Sequence, residues 1–161
     1  MAADMVSGVL AVAATAPLEC WAFDHTVDLD WPAPYTDYGQ RIIDLAAPGG
    51  SANPSLSTQF VTLGGATFRA FAFNLVLSTS SDFGATSDCV KKGNWNFAGG
   101  TSSAAPHVCG VAALAIQANG GKLTPAQIRA ILTQSADDLG EPGNDDYYGA
   151  GRVNALRAVL Q

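Results

Sequence analysis

The chain has 161 residues, 48% of them hydrophobic and only 14% charged, with 17 glycines and a net charge of −6. That length supports one domain with a real core, and the composition is that of an ordered, tightly turned globular protein rather than a disordered one. Only 8 Lys and Arg are present, with no basic cluster beyond Lys91-Lys92, which speaks against a nucleic-acid surface built on a basic stripe.

Met1 to Ala16 is small and apolar, but it lacks a positive flank and is interrupted by Asp4, so it does not read as a signal peptide. Within it, Gly8 to Thr15 is a continuous apolar run bounded by Ser7-Gly8 and Ala16-Pro17, which predicts a parallel strand covered on both faces. Glu19 to Tyr38 has loop composition, rich in aromatics, prolines and aspartates. A second strand is predicted over Arg41 to Ala46, stopping at Pro48-Gly49-Gly50. Residues 50–74 read as a surface insertion, most polar over 51–66, and Phe68 to Thr79 alternates in part, consistent with one long strand or two shorter ones. Ser80 to Lys92 reads as a polar loop. Cys20 and Cys89 lie in loop-like surroundings, either as two unrelated thiols or, in a secreted protein, as a pair.

From Gly93 to Gly121 there is no Asp, Glu, Lys or Arg. This predicts a helix from about Ser102 to Ala118, threaded through the interior with Cys109 in the core and closed by Asn119-Gly120-Gly121. Asn94, Asn96, His107, Gln117 and Asn119 along the run argue against a membrane span. Ser102 lies between a helix and the glycines Gly99-Gly100, which let the backbone turn sharply and approach another backbone closely, the setting for a reactive serine; taken alone, it also reads as an N-cap. Thr124 as N-cap, Pro125 at the first helical position and Gln127 completing a capping box predict the next helix, with Ile128, Ile131 and Leu132 as its apolar stripe. Glu141 to Tyr148 is a turn-rich acidic loop. A last helix, roughly Val153 to Leu160, shows Val153, Leu156 and Leu160 on one side. Strands joined to helices in this manner imply a layered α/β architecture.

The run from Gly100 through Val108 and on to Gly110 resembles the serine-nucleophile signature of the subtilisin-like serine proteases, Gly-Thr-Ser-x-Ala-x-Pro-His-Val-x-Gly. The Gly8 to Thr15 strand, Tyr38-Gly39 with Ile43 to Gly49, the Thr124 to Leu132 helix and Tyr148 to Ala155 agree with that family in order. The resemblance implies a three-layer subtilisin-like fold with a mostly parallel sheet, of which residues 1–161 would be the C-terminal portion. It implies acyl-enzyme hydrolysis of peptide bonds with Ser102 as nucleophile and its own N–H as an oxyanion donor, and a secreted parent protein. Pro106 would fall in the first helical turn, where its missing donor costs least.

The family carries its catalytic aspartate and histidine, the latter in a His-Gly-Thr-His-type motif, and its oxyanion asparagine upstream of the strand that opens this sequence. No such motif occurs here. His107 follows Ser102 by five positions, roughly 140° around a helix, and is expected as a packed core residue, while His25 beside Asp24 is expected as a solvated loop histidine. The isolated chain is therefore expected to be inactive. Its implied partners are a polypeptide substrate and the missing N-terminal half of the domain, with no nucleic acid and no membrane. The alternative is a non-catalytic pseudoprotease that binds peptides or a partner chain. The family often binds calcium, but Asp24, Asp28 and Asp30, and likewise Asp145 and Asp146, lack an EF-hand-like spacing, read as solvated loop carboxylates and assign no metal site.

Overall fold

A computed structural model of the chain describes residues 8–20, 22–39, 42–53, 56–79 and 95–161. At its centre β1 (Val12–Ala16) pairs in parallel with β3 (Leu45–Pro48), Val12 opposite Leu45 and Thr15 opposite Pro48. The short β2 (Trp31–Pro32) adds antiparallel to the other side of β1, giving the order β2-β1-β3. Beyond β3 the backbone of Arg152 bridges Ala46 in parallel, fixed by Ala46 N–H to Gly151 O and Val153 N–H to Ala46 O, each 2.9 Å.

The apolar runs are buried on both faces, as their lack of alternation predicts. Ala14, Ala16, Leu45 and Ala47 face one core with the long helix, whereas Ala13, Ile43 and Ala46 pack with Tyr148 on the other side. Small residues on both strands let the covering layers come close. Helix α1 (Thr101–Ala118) lays Ala104, Val108, Val111 and Ala115 on the sheet. Its end is closed as predicted, with Gly121 N–H on Ile116 O at 2.8 Å.

The expectation of a helix wholly inside is corrected. Cys109, placed in the core by the sequence, is exposed, as are His107, Gly110, Ala113, Leu114 and Gln117. An uncharged helix can be buried all round, but among the described residues the layers packed on α1 leave one of its faces uncovered.

Helix α2 (Pro125–Gln134) forms the predicted capping box: Thr124 Oγ1 accepts from Gln127 N–H and Gln127 Oε1 from Thr124 N–H at 2.9 Å. Leu132 is fully buried, with Ile128 and Ile131 packed beside it. Helix α3 (Ala155–Val159) differs from expectation. Val153, just ahead of it, packs against the core, but Leu156 and Leu160 are 68% and 76% exposed, and the buried residue within the helix is Ala158, in the core cluster shared with α1.

The second strand also starts later than predicted. Asp44 precedes it in irregular backbone, where its carboxylate accepts Ala11 N–H at 2.8 Å and pairs with Arg129. The remaining strands form two separate antiparallel hairpins, β4 (Phe60–Leu63) with β5 (Ala66–Arg69) and β6 (Val76–Thr79) with β7 (Trp95–Ala98). Phe68 to Thr79 thus holds parts of two shorter strands, the end of β5 and all of β6, and between them Ala70–Asn74 is a 3-10 helix burying Ala70, Ala72 and Asn74. Phe/Ala alternation marks a segment packed on two sides without saying how the backbone turns. Cys20, Leu56 and Ala70 form a small core beneath it. The predicted polar loop Ser80 to Lys92, and with it Cys89, lies outside the described residues; Cys20 is buried, its Sγ on Ala70 O at 3.4 Å. Among the described residues no helix is long and apolar enough to cross a membrane.

Candidate active site

Two glycine turns meet at the start of α1. Thr15 O accepts the N–H groups of Gly49 and Gly50 at 2.8 and 3.1 Å, which ties the end of β3 to β1. Gly49 O in turn accepts Gly100 N–H at 2.9 Å. The approach is close: a Cβ on Gly49 would stand 2.5 Å from Ala14 Cβ and 2.9 Å from Gly100 O, so only glycine fits. Gly100, the N-cap of α1, has φ +151°, which also demands glycine.

Ser102 is the second residue of α1 and is exposed. The next two N–H groups, of Ser103 and Ala104, turn back to Gly100 O at 2.8 and 3.3 Å. Among the described residues neither Ser102 N–H nor its hydroxyl has a hydrogen-bond partner. A free donor beside a hydroxyl at a helix N-terminus is an arrangement for receiving developing negative charge.

Pro106 is the sixth helical residue, not part of the first turn as predicted. Its missing N–H therefore removes the helical bond to Ser102 O, four residues back. His107 is exposed rather than packed in the core, with Nδ1 on Ser103 O at 2.9 Å. It lines a cavity of about 390 Å³ with Pro48, Val111, Asp137, Arg152 and Asn154. His25 is exposed in the loop before β2, as expected. The carboxylate of Asp24 is committed to Thr26, whose hydroxyl and N–H lie at 2.7 and 2.8 Å and hold Asp24 below the usual carboxylate range. Neither histidine is hydrogen-bonded to Ser102.

Several of the acidic residues have partners within the protein. Asp30 is ion-paired with Arg152, which also holds Asp137 at 2.6 Å. Asp28 accepts Asp30 N–H at 2.8 Å, and Asp145 accepts the N–H groups of Tyr147 and Tyr148 at 2.7 and 2.8 Å. Among the described residues no three His, Cys, Asp or Glu side chains are placed to share a metal. Burial raises the Asp30 carboxyl against the opposing charge of Arg152. For Asp137 burial also pushes upward, but the bonds from Arg152 and Asn154 and the charges of Arg152 and Arg157 outweigh it and leave the carboxyl low.

Sequence reasoning missed two parts of this region. The Arg152 pairs join residues 122 and 15 positions apart, beyond any local pattern. Tyr35, whose hydroxyl donates to Gly50 O, is one aromatic among several in a loop-like stretch, and nothing in the sequence distinguishes it.

The sequence model described as "Subtilase family" matches residues 5–151. A calcium-dependent protease of Nostoc sp. is 35% identical over 133 residues, covering 78% of this chain and 18% of that protein. An extracellular serine protease of Serratia marcescens is 47% identical over 60 residues, 37% of this chain and 6% of that protein. Among solved structures, a lanthipeptide protease superposes with a TM-score of 0.67 at 27% identity, covering 98% of this chain and 43% of that one. The chain thus spans under half the length of each of these proteins.

Proposed function

The chain belongs to the subtilase family, and on that premise we propose that it supplies the nucleophile-bearing part of a serine endopeptidase. Ser102 Oγ attacks the scissile carbonyl carbon, forming the acyl C–O bond as its proton passes to a base. The base returns that proton to the leaving amine as the C–N bond breaks, and water then releases the acyl group by the same route. Ser102 N–H is one donor to the oxyanion. The observation that carries this reading is the exposed Ser102, with its own N–H unpartnered among the described residues, held behind the paired turns at Gly49 and Gly100.

Neither His25 nor His107 is bonded to Ser102, so the base and the carboxylate that orients it come from outside residues 1–161, from the N-terminal half of the domain in cis or in trans. The uncharged, exposed face of α1 supports this, since it offers that half a surface with no charge to desolvate. The 161-residue chain alone is therefore inactive. Subtilisin follows the same logic: loss of its histidine alone costs about as much as loss of the whole triad, because an unactivated serine hydroxyl is a weak nucleophile. The Serratia relative is named extracellular, which supports secretion of the parent protein.

The test is labelling by a fluorophosphonate probe. The chain alone is expected to stay unlabelled. Expressed together with the reading frame upstream of Met1, it is expected to label at Ser102 and to lose the label in Ser102→Ala. Labelling of the isolated chain overturns its inactivity, and a folded, co-expressed protein that stays unlabelled overturns the nucleophile assignment in favour of a binding module.

A further inference from the structure

We infer that the Tyr35 hydroxyl is a positioning group for Ser102, clipping the Gly49-Gly50 turn to the Gly99-Gly100 turn from which α1 starts. The inference rests on the reading of Ser102 as nucleophile. Gly99 and Gly100 carry no side chain, Gly100 sits at φ +151°, and the N-cap makes no side-chain bond to the helix. A backbone so permissive does not set its own geometry, yet an oxyanion donor has to be held to within about 0.5 Å of its working position. The constraint has to come from outside the turn.

Tyr35 is placed to supply it. Its hydroxyl donates to Gly50 O, and a Cβ on Gly49 would lie 3.0 Å from that same hydroxyl and 2.9 Å from Gly100 O, so the phenol oxygen stands where the two turns touch. Gly100 N–H is bonded to Gly49 O, next to the Gly50 carbonyl that the phenol holds; burial pushes the Tyr35 phenol up, and the nearby Gly100 backbone offsets part of that rise. Tyr35 itself is anchored on both sides. Ala33 N–H bonds Ala14 O, and Ala14 N–H bonds Thr36 Oγ1, each at 2.9 Å, so the residue projects from a turn stapled to β1. A continuous set of bonds therefore runs from the central strand through Thr15 O to Gly49 and from Gly49 O to Gly100 N–H, and Tyr35 braces it by holding the adjoining Gly50 carbonyl.

Tyr35→Phe removes the hydroxyl and keeps the ring; the residue is 42% exposed, so the fold tolerates the change. In the 161-residue chain, amide hydrogen exchange followed by NMR is expected to quicken at Gly100 by roughly tenfold, the scale of one lost hydrogen bond, with no change at Ile131 or Ser135 in and after α2. In the co-expressed, labelling-competent protein, Tyr35→Phe is expected to slow fluorophosphonate labelling of Ser102 by about the same factor while leaving the urea midpoint in place, a split that a general loss of stability does not produce. Unchanged exchange at Gly100 overturns the clip. Faster exchange with an unchanged labelling rate overturns the positioning role. If the wild-type protein never labels, the nucleophile reading fails, and the positioning role with it, while exchange at Gly100 still decides whether the clip exists.

Discussion

Arg152 joins two carboxylates that the chain brings in from opposite sides, Asp30 ahead of β2 and Asp137 after α2, and its removal gives a calculable result. The side chains of Arg152, Asp30 and Asp137 are 33%, 21% and 23% exposed, which places the pairs between the surface and the interior. Exposed pairs contribute about 0–1 kcal/mol and breaking a buried one costs about 3–5 kcal/mol, so Arg152→Met, which keeps most of the stem packing, is expected to cost about 2 kcal/mol at neutral pH. Asp137 retains Asn154 at 3.0 Å and Arg157 at 3.2 Å, which keeps the loss from reaching the buried limit. Urea unfolding by tryptophan fluorescence at low concentration should then show a midpoint lower by about 1 M, taking a slope of about 2 kcal/mol per M. The pH dependence follows from the two shifts. Asp137 is held low by its partners, so its contribution is present above the ordinary carboxylate range and is lost as pH falls through its folded value. Asp30 is raised by burial, so the stability linked to it is full below its ordinary value and is lost as pH rises through the folded one. Removing Arg152 is therefore most costly where both are ionised, and the penalty shrinks at a pH low enough to protonate both. A penalty of the same size at both pH values refutes the electrostatic account and assigns the loss to packing; a penalty under about 0.5 kcal/mol at neutral pH refutes it outright.

Gly49→Ala is expected to destabilise by about 1–3 kcal/mol in the same assay, because its Cβ meets Ala14 Cβ at 2.5 Å and the Gly100 backbone at 2.9 Å. Gly110→Ala, with nothing within 4 Å of its Cβ in the middle of α1, is the matched control and should stabilise by about 0.5–1 kcal/mol. Equal effects from the two would deny the close approach at Gly49. The open face of α1 is expected to make the isolated chain self-associate as concentration rises, and Leu114→Gln, at a residue 47% exposed, should lower the apparent mass in sedimentation equilibrium. A concentration-independent monomer would show that this face needs no cover.

What was legible in the sequence was what one segment can declare. The Thr124 to Gln127 box is a local contract between neighbours, and it appears in the structure bond for bond. The Gly8 to Thr15 run announced a strand covered on both faces, and its second half is one: β1 is Val12–Ala16, whereas Gly8 and Val9 ahead of it are exposed. The uncharged run from Gly93 to Gly121 likewise placed Ser102 at the head of a helix, and α1 starts at Thr101. Burial was less legible. Composition tells which faces of α1 tolerate being covered, but Cys109, His107 and Leu114 show that covering needs a layer to do it. Of the α3 stripe, Val153 packs against the core while Leu156 and Leu160 stay exposed, because periodicity ranks side chains by hydrophobicity and does not say which side of a short helix meets a layer.

The site divides along the same line. Ser102 and its glycines are contiguous and could be read directly, whereas the atoms that hold them, Thr15 O, Gly49 O and the Tyr35 hydroxyl, come from three other segments and carry no signature of their own. Two of the three are backbone carbonyls, identical in every residue, so no substitution in the sequence could announce them. A side chain can announce itself, and Tyr35 is the one member of the set whose removal leaves the backbone intact. It is therefore the residue at which the difference between having a nucleophile and holding one in place can be measured.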